Sequence, residues 1–226
     1  MNINKVLCCI VLSIFVLASA SVAIAAPAYW TDWTSEIAGA PIVQGTLNVG
    51  SSTVGVTFSG TYSFAQTSGG TNYWNPSAPY ISSFVDNAPP ASDIIALNAG
   101  GTATITFTES IKDPLIALVS WNNNTVDFGV PIEILSYGAG YWGNGTPILN
   151  TEGDGFYGSG EVHGVIRLPG SYMSISFTHT SETWHGFTVG VLGLGEPPTG
   201  VPEPATMLLM GFGLMGLAGL RRRFKK

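Results

Sequence analysis

The strongest constraint on this chain is a period of two. Val54, Val56, Phe58, Tyr62 and Phe64 occupy even positions, and Gly55, Thr57, Ser59, Thr61 and Ser63 lie between them. Successive side chains of a strand point to opposite faces, so this stretch predicts a half-buried strand, or two strands hinged at Gly60. The alternation returns at 102–108, with Ala103, Ile105 and Phe107 inward, and at 171–178 through Met173, Ile175 and Phe177. Residues 115–119 form a continuous apolar run, as a strand covered on both faces would. Further strand candidates are 132–135, 162–168 and 187–192. Turn clusters such as Gly69-Gly70-Thr71-Asn72 and Asn87-Ala88-Pro89-Pro90 punctuate them, and no helical period precedes the tail. Only a short helix around 91–97 is expected. The predicted fold is all-β: a single antiparallel β-sandwich, jelly-roll-like, over residues 26–194.

The N-terminus is an address. Lys5 and the free amine precede an apolar stretch at 6–16, and small residues follow, from Ala18 to Ala26. That order is a secretory signal peptide, and its apolar core is too short to span a bilayer. Ala23-Ile24-Ala25 supplies the small residues for cleavage after Ala25, so residues 1–25 are read as the signal peptide. The two cysteines, Cys8 and Cys9, lie in the removed segment. The exported domain therefore has no disulfide and must be held together by core burial, for which about 175 residues suffice. Between residues 26 and 200 stand thirteen acidic side chains and two basic ones, Lys112 and Arg167, a net charge of −11. Phosphate binding rests on lysine and arginine, so nucleic acid is excluded as a partner. Neutral glycans, cations or a basic protein remain open.

The C-terminus is a second address. Residues 195–204 are a Pro/Gly-rich linker, residues 205–220 are uncharged and apolar, and residues 221–226 carry Arg221, Arg222 and Arg223 with Lys225 and Lys226. Basic residues flanking an apolar helix stay in the cytoplasm, which places the main domain outside. The apolar segment is short for a span and is notched by Gly211, Gly213, Gly216 and Gly219, a weak permanent anchor that suits brief presentation to a membrane enzyme.

Val201-Pro202-Glu203-Pro204-Ala205-Thr206, the glycine-rich apolar segment and the arginine cluster together resemble the PEP-CTERM sorting signal. The resemblance implies that an exosortase, a membrane-embedded cysteine transpeptidase, recognises the box Pro202, Glu203 and Pro204. It also implies a Gram-negative bacterium that makes exopolysaccharide, a transmembrane helix at 205–220 before processing, and a cell-surface or extracellular-matrix location after it. The domain is similar to a group of PEP-CTERM proteins sharing an opening like Trp30-Thr31-Asp32-Trp33-Thr34-Ser35 and a close like Trp184-His185-Gly186-Phe187-Thr188-Val189-Gly190. That likeness supports the extent of the domain and assigns no activity.

Chemistry is harder to read. Ser159, in Gly158-Ser159-Gly160, lacks the spacing and the strand-turn-helix context of a nucleophile elbow. His179 and His185, six apart, have no compact third ligand for zinc, and they read as loop or sheet-edge histidines. Two opposed carboxylates would suffice for glycoside hydrolysis, but no particular pair stands out. Glu152 and Asp154 in a glycine-rich loop, with Glu161 nearby, are candidate calcium ligands, although the spacing is no EF-hand. Trp30, Trp33, Tyr73, Trp74, Tyr80, Trp121, Tyr141, Trp142 and Trp184 are a supply of flat rings for sugar binding, and Tyr73 and Trp74, Trp121, and Trp142, which stand beside polar turn residues, are the candidate platforms. The expectation is a non-enzymatic surface or matrix protein associated with exopolysaccharide or biofilm. The alternatives are a secreted carbohydrate-active enzyme and a calcium-dependent adhesin.

Overall fold

Period-two patterning becomes paired strands in the computed structural model, which describes residues 25–193. The first half of the chain gives β1 (Tyr29–Trp30), β2 (Asp32–Glu36), β3 (Ile42–Val49), β4 (Ser52–Ser59), β5 (Phe64–Gln66), β6 (Ile94–Leu97) and β7 (Gly101–Lys112). The second half gives β8 (Leu115–Trp121), β9 (Thr125–Asp127), β10 (Glu133–Tyr137), β11 (Gly145–Leu149) and β12 (Gly155–Gly160), then β13 (Val162–Arg167), β14 (Ser171–His179) and β15 (His185–Val191). The single helical element among the described residues is one 3-10 turn, Ala78–Tyr80. One sheet runs β10-β13-β8-β15-β6-β5, with β1 also on β15, and the other runs β11-β12-β9-β14-β7-β4-β3-β2. Neighbouring strands are antiparallel throughout. The fold is the expected antiparallel β-sandwich.

The chain divides into two compact units, Met1–Leu192 and Gly193–Lys226, and the sandwich belongs to the first. The signal peptide before Ala25, the Pro/Gly linker with Pro202, Glu203 and Pro204, the apolar segment 205–220 and the basic cluster Arg221, Arg222 and Arg223 lie outside the described residues. Among the described residues no helix is long and apolar enough to cross a membrane.

The core has two layers. Between the sheets, Phe187 of β15 meets Phe177 of β14 at 5.5 Å and Phe58 of β4 at 5.8 Å between ring centroids. On the far face of the β8 sheet, Trp74, Tyr80 and Val85 from the long connection between β5 and β6 pack with Leu115, Ala117, Val119 and Val165. This irregular cover explains why β8 and β15 are buried along their whole lengths, as the continuous apolar run at 115–119 implies. Gly60, at φ +152, ends β4, and the chain crosses to the opposite sheet at β5, so the hinge read there separates two sheets.

Two expectations change. Residues 94–97 form a fully buried strand, β6, between β5 and β15; the short helix expected around 91–97 is absent. Ile94 and Ile95 are β-branched and central in a sheet, where such side chains pack best. Met173 is 52% exposed, because a register shift between Tyr172 and Ser174 interrupts the alternation that buries Ile175 and Phe177.

Candidate functional site

An open cleft of about 510 Å³ lies at one end of the β8 sheet. Four segments line it: Ser120, Asn122 and Asn123 at and after the end of β8; Glu161 between β12 and β13; residues 181–184 just before β15; and Trp142 from the turn between β10 and β11.

The floor is made by a β-bulge. Opposite β13, Leu118 pairs with Gly164 and Trp121 with Val162, so β8 carries one residue more than its partner. Ser120 takes up the excess with φ +58, a left-handed conformation that costs a non-glycine residue about 1–2 kcal/mol. Asn123, also in the cleft, sits at φ +51. Two effects follow. Ser120 Oγ is turned to donate to Glu161 Oε2. Trp121, which simple alternation would place beside Leu115, Ala117 and Val119 under the outer cover, turns instead between the sheets. There its ring meets Phe156 and Phe177, and its Nε1 donates to Gly186 O at 2.8 Å.

The polar groups form a connected network. Asn122 Nδ2 donates to Glu161 Oε1 at 2.7 Å, and Asn122 N donates to Glu182 Oε2 at 3.1 Å, so one residue ties both carboxyl groups. Burial, with the Glu161 charge adding to it, pushes the Glu182 carboxyl up to about 8. Glu182 Oε2 lies 3.4 Å from His185 Nδ1, and His185 Nε2 lies 3.0 Å from His179 Nδ1. Burial drives His185 down to about 3, and it lowers His179 as well. Burial disfavours the ionic form of both partners in the Glu182–His185 contact, pushing the carboxyl up and the imidazole down. His179 belongs to β14 and His185 to β15, so the imidazole pair joins the two sheets from inside. Both are buried, which corrects their reading as loop or sheet-edge histidines.

Aromatic rings wall the cleft. Trp184 stacks at 4.9 Å from Tyr73 and 6.2 Å from Phe64, while Tyr141 meets Tyr73 at 5.2 Å and Trp142 at 4.9 Å. Trp142 and Trp184 stand 6.5 Å apart at 67°, and Trp142 is 56% exposed. Tyr73 and Trp142 therefore lie in one aromatic cluster beside the cleft. Trp74 and Trp121 do not: both are buried, Trp74 under the cover of the β8 sheet and Trp121 between the sheets, and neither presents a face to a ligand.

The three calcium candidates are not brought together. Glu152 is exposed in the turn after β11, and Asp154 accepts from Asn150 Nδ2 at 2.6 Å within that turn. Glu161 is held in the cleft by Ser120 and Asn122. Among the described residues no group of three or more His, Cys, Asp or Glu side chains is placed to hold a metal ion.

Sequence reasoning did not single out Ser120 or Glu182 as site residues, and it counted Trp184 only within the general supply of aromatic side chains for sugar binding. The first depends on a bulge, which carries no local signature in a run of apolar residues. The other two stand in Ser181-Glu182-Thr183-Trp184, a polar stretch with one tryptophan directly before a buried strand, and that pattern was a usable signal.

No curated protein matches the chain. A solved peptidoglycan O-acetylesterase structure is similar at 10% identity and a TM-score of 0.32, over 74% of this chain and 35% of that one. The chain thus spans about a third of that protein's length, and the likeness carries no argument. Residues 200–223 match the family model of the PEP-CTERM protein-sorting motif, on the segment that holds Pro202, Glu203, Pro204 and the arginine cluster. The chain carries a PEP-CTERM protein-sorting motif, which implies export and processing by an exosortase.

Proposed function

We propose that the sandwich is a glycan-binding module, that the cleft lined by Trp142 and Trp184 is its binding site, and that the sorted protein associates with exopolysaccharide at the cell surface or in the matrix of a biofilm. The observation that carries this reading is the joint presence, in one open cleft, of two tryptophan rings with Asn122, Asn123, Glu161 and Thr183. A pyranose has apolar C–H faces and a rim of hydroxyls, so it is matched by flat aromatic surfaces flanked by amide and carboxylate groups. Backbone strain at Ser120 and Asn123 supports the same place, since such conformations gather at functional sites. The excess of acidic over basic side chains favours neutral or cationic polymers over polyanions.

The test is binding of the full chain, in detergent, to the exopolysaccharide of the producing organism. Saturable binding that falls about tenfold or more in Trp142→Ala and Trp184→Ala, with unchanged melting of the Trp142→Ala protein, is the expected result. Unaltered binding in both variants would remove the cleft as the site. Shortening of the polymer by the wild type, lost in Glu182→Gln, would instead make Glu161 and Glu182 a hydrolytic pair.

A further inference from the structure

The cleft's charge is more specific than its shape. No lysine or arginine lines it, and Arg167, one of the two cations of the domain, is engaged by Glu133 through Nε at 2.8 Å. Glu161 is built into the cleft as an acceptor. Each of its oxygens takes one hydrogen bond, from Ser120 Oγ and from Asn122 Nδ2, and a carboxylate oxygen with two lone pairs keeps a second acceptor position. Both donors approach from the end of β8, so the carboxylate is fixed in orientation before any ligand arrives. Trp142 and Trp184 stand at the same cleft, and an ammonium above an indole face is attracted by the ring quadrupole. Uronic acids would meet an unscreened carboxylate with no cation to balance them. Neutral sugars would gain stacking and hydroxyl contacts only. A protonated amino sugar would gain these and a charge-assisted hydrogen bond as well.

Resting on the glycan reading above, we infer that the cleft selects amine-bearing sugar residues over their neutral and acidic counterparts, and that Glu161 is the group that receives the ammonium. Asn122 ties Glu161 to Glu182, the other carboxyl group of the cleft.

The experiment compares three tetrasaccharides against the full chain in detergent at pH 5.5 and low salt: a chitosan oligomer, its fully N-acetylated form, and a glucuronic-acid oligomer. The expected result is that the amine form binds about tenfold tighter than the N-acetylated form, as one charge-assisted hydrogen bond provides. That advantage should shrink as salt is raised through the range where the screening length drops below about 10 Å. Glu161→Gln should abolish the tenfold difference, so that the amine and N-acetylated forms bind with equal affinity. Equal wild-type affinities for the amine and N-acetylated forms, or preference for the uronate, overturn the selectivity while the glycan reading stands. Binding of none of the three, or of the native polymer, overturns both. Should Glu161→Gln fold poorly, wild-type competition decides: the N-acetylated oligomer must displace the amine form, and a failure to displace it would assign the salt-dependent binding to the acidic surface at large and overturn the inference.

Discussion

At the scale of single residues, Ser120 has two separable tasks: it adopts a left-handed backbone and it donates to Glu161. Two substitutions divide them. Ser120→Ala and Ser120→Gly both remove the hydroxyl, but only glycine relieves the backbone, since it has no Cβ to clash at positive φ. Ser120→Gly is therefore expected to be more stable than Ser120→Ala by about 1 kcal/mol in denaturant unfolding. Both should weaken glycan binding alike, because both free Glu161 from one donor. Equal stabilities would mean that the bulge relaxes when the side chain is shortened. Gly45 illustrates the opposite constraint. A Cβ there would come within 2.6 Å of Asp32 O and 2.9 Å of the Trp33 ring, so the strand can pass Trp33 only without a side chain.

At the scale of elements, the connection between β5 and β6 is a packing layer. Its Trp74 and Tyr80 rings lie edge to face at 5.2 Å, and Tyr80 Oη lies 3.3 Å from Nδ1 of the buried His163. Replacing Trp74 with alanine removes a large buried ring against Leu115, Ala117 and Val119 and is expected to cost about 3–5 kcal/mol. For a domain of this size that corresponds to a fall of about 10 °C or more in melting temperature. Trp142→Ala, on an exposed ring, should change melting by no more than about 1–2 °C. This contrast separates the two tryptophans that look alike in sequence, each standing after a tyrosine and near asparagine. A melting temperature for Trp74→Ala close to wild type would show that the connection does not cover the sheet.

At the scale of the molecule, stability is set against pH from two sides. His185 and His163 are driven by burial to about 3 and 4, and His179 is lowered too, so the folded state stays unprotonated where the unfolded chain, near 6.5, takes up protons. Stability is therefore lost as pH falls below 6.5. Glu182 and Asp93 act in the other direction. Burial pushes them up to about 8 and about 6, so the folded state holds protons that the unfolded chain releases near 4.5 and 3.8. Their contribution is lost as pH rises from 4.5 to about 8 for Glu182 and from 3.8 to about 6 for Asp93. Above pH 6.5 only Glu182 among these groups still titrates in this way, so melting temperature should peak near pH 6–6.5 and decline to about pH 8. The alkaline slope should be on the order of 1 kcal/mol per pH unit, the free energy of one proton. Glu182→Gln should flatten that slope and leave the acid limb in place, and a wild-type optimum above pH 8 would contradict the assignment.

Features that depend on neighbours along the chain are legible in the sequence. Alternation at 53–64 and 102–108 foretold β4 and β7, and the apolar run at 115–119 foretold a strand covered on both sides. The PEP box, apolar segment and arginine cluster are linear signals read by a membrane enzyme, and they needed no fold to be recognised. Other strands were hidden for local reasons: glycine holds an inward position of β3 at Gly45, and β12 is half glycine, so neither shows a clean apolar period. Which aromatic rings are exposed was settled by long-range contacts. Trp121 is turned inward by one extra residue whose presence is defined by the partner strand, and Trp74 is buried by a sheet that lies far from it in sequence. Glu161 and Glu182 likewise become neighbours through Asn122 alone, because burial and register are properties of the assembled sandwich.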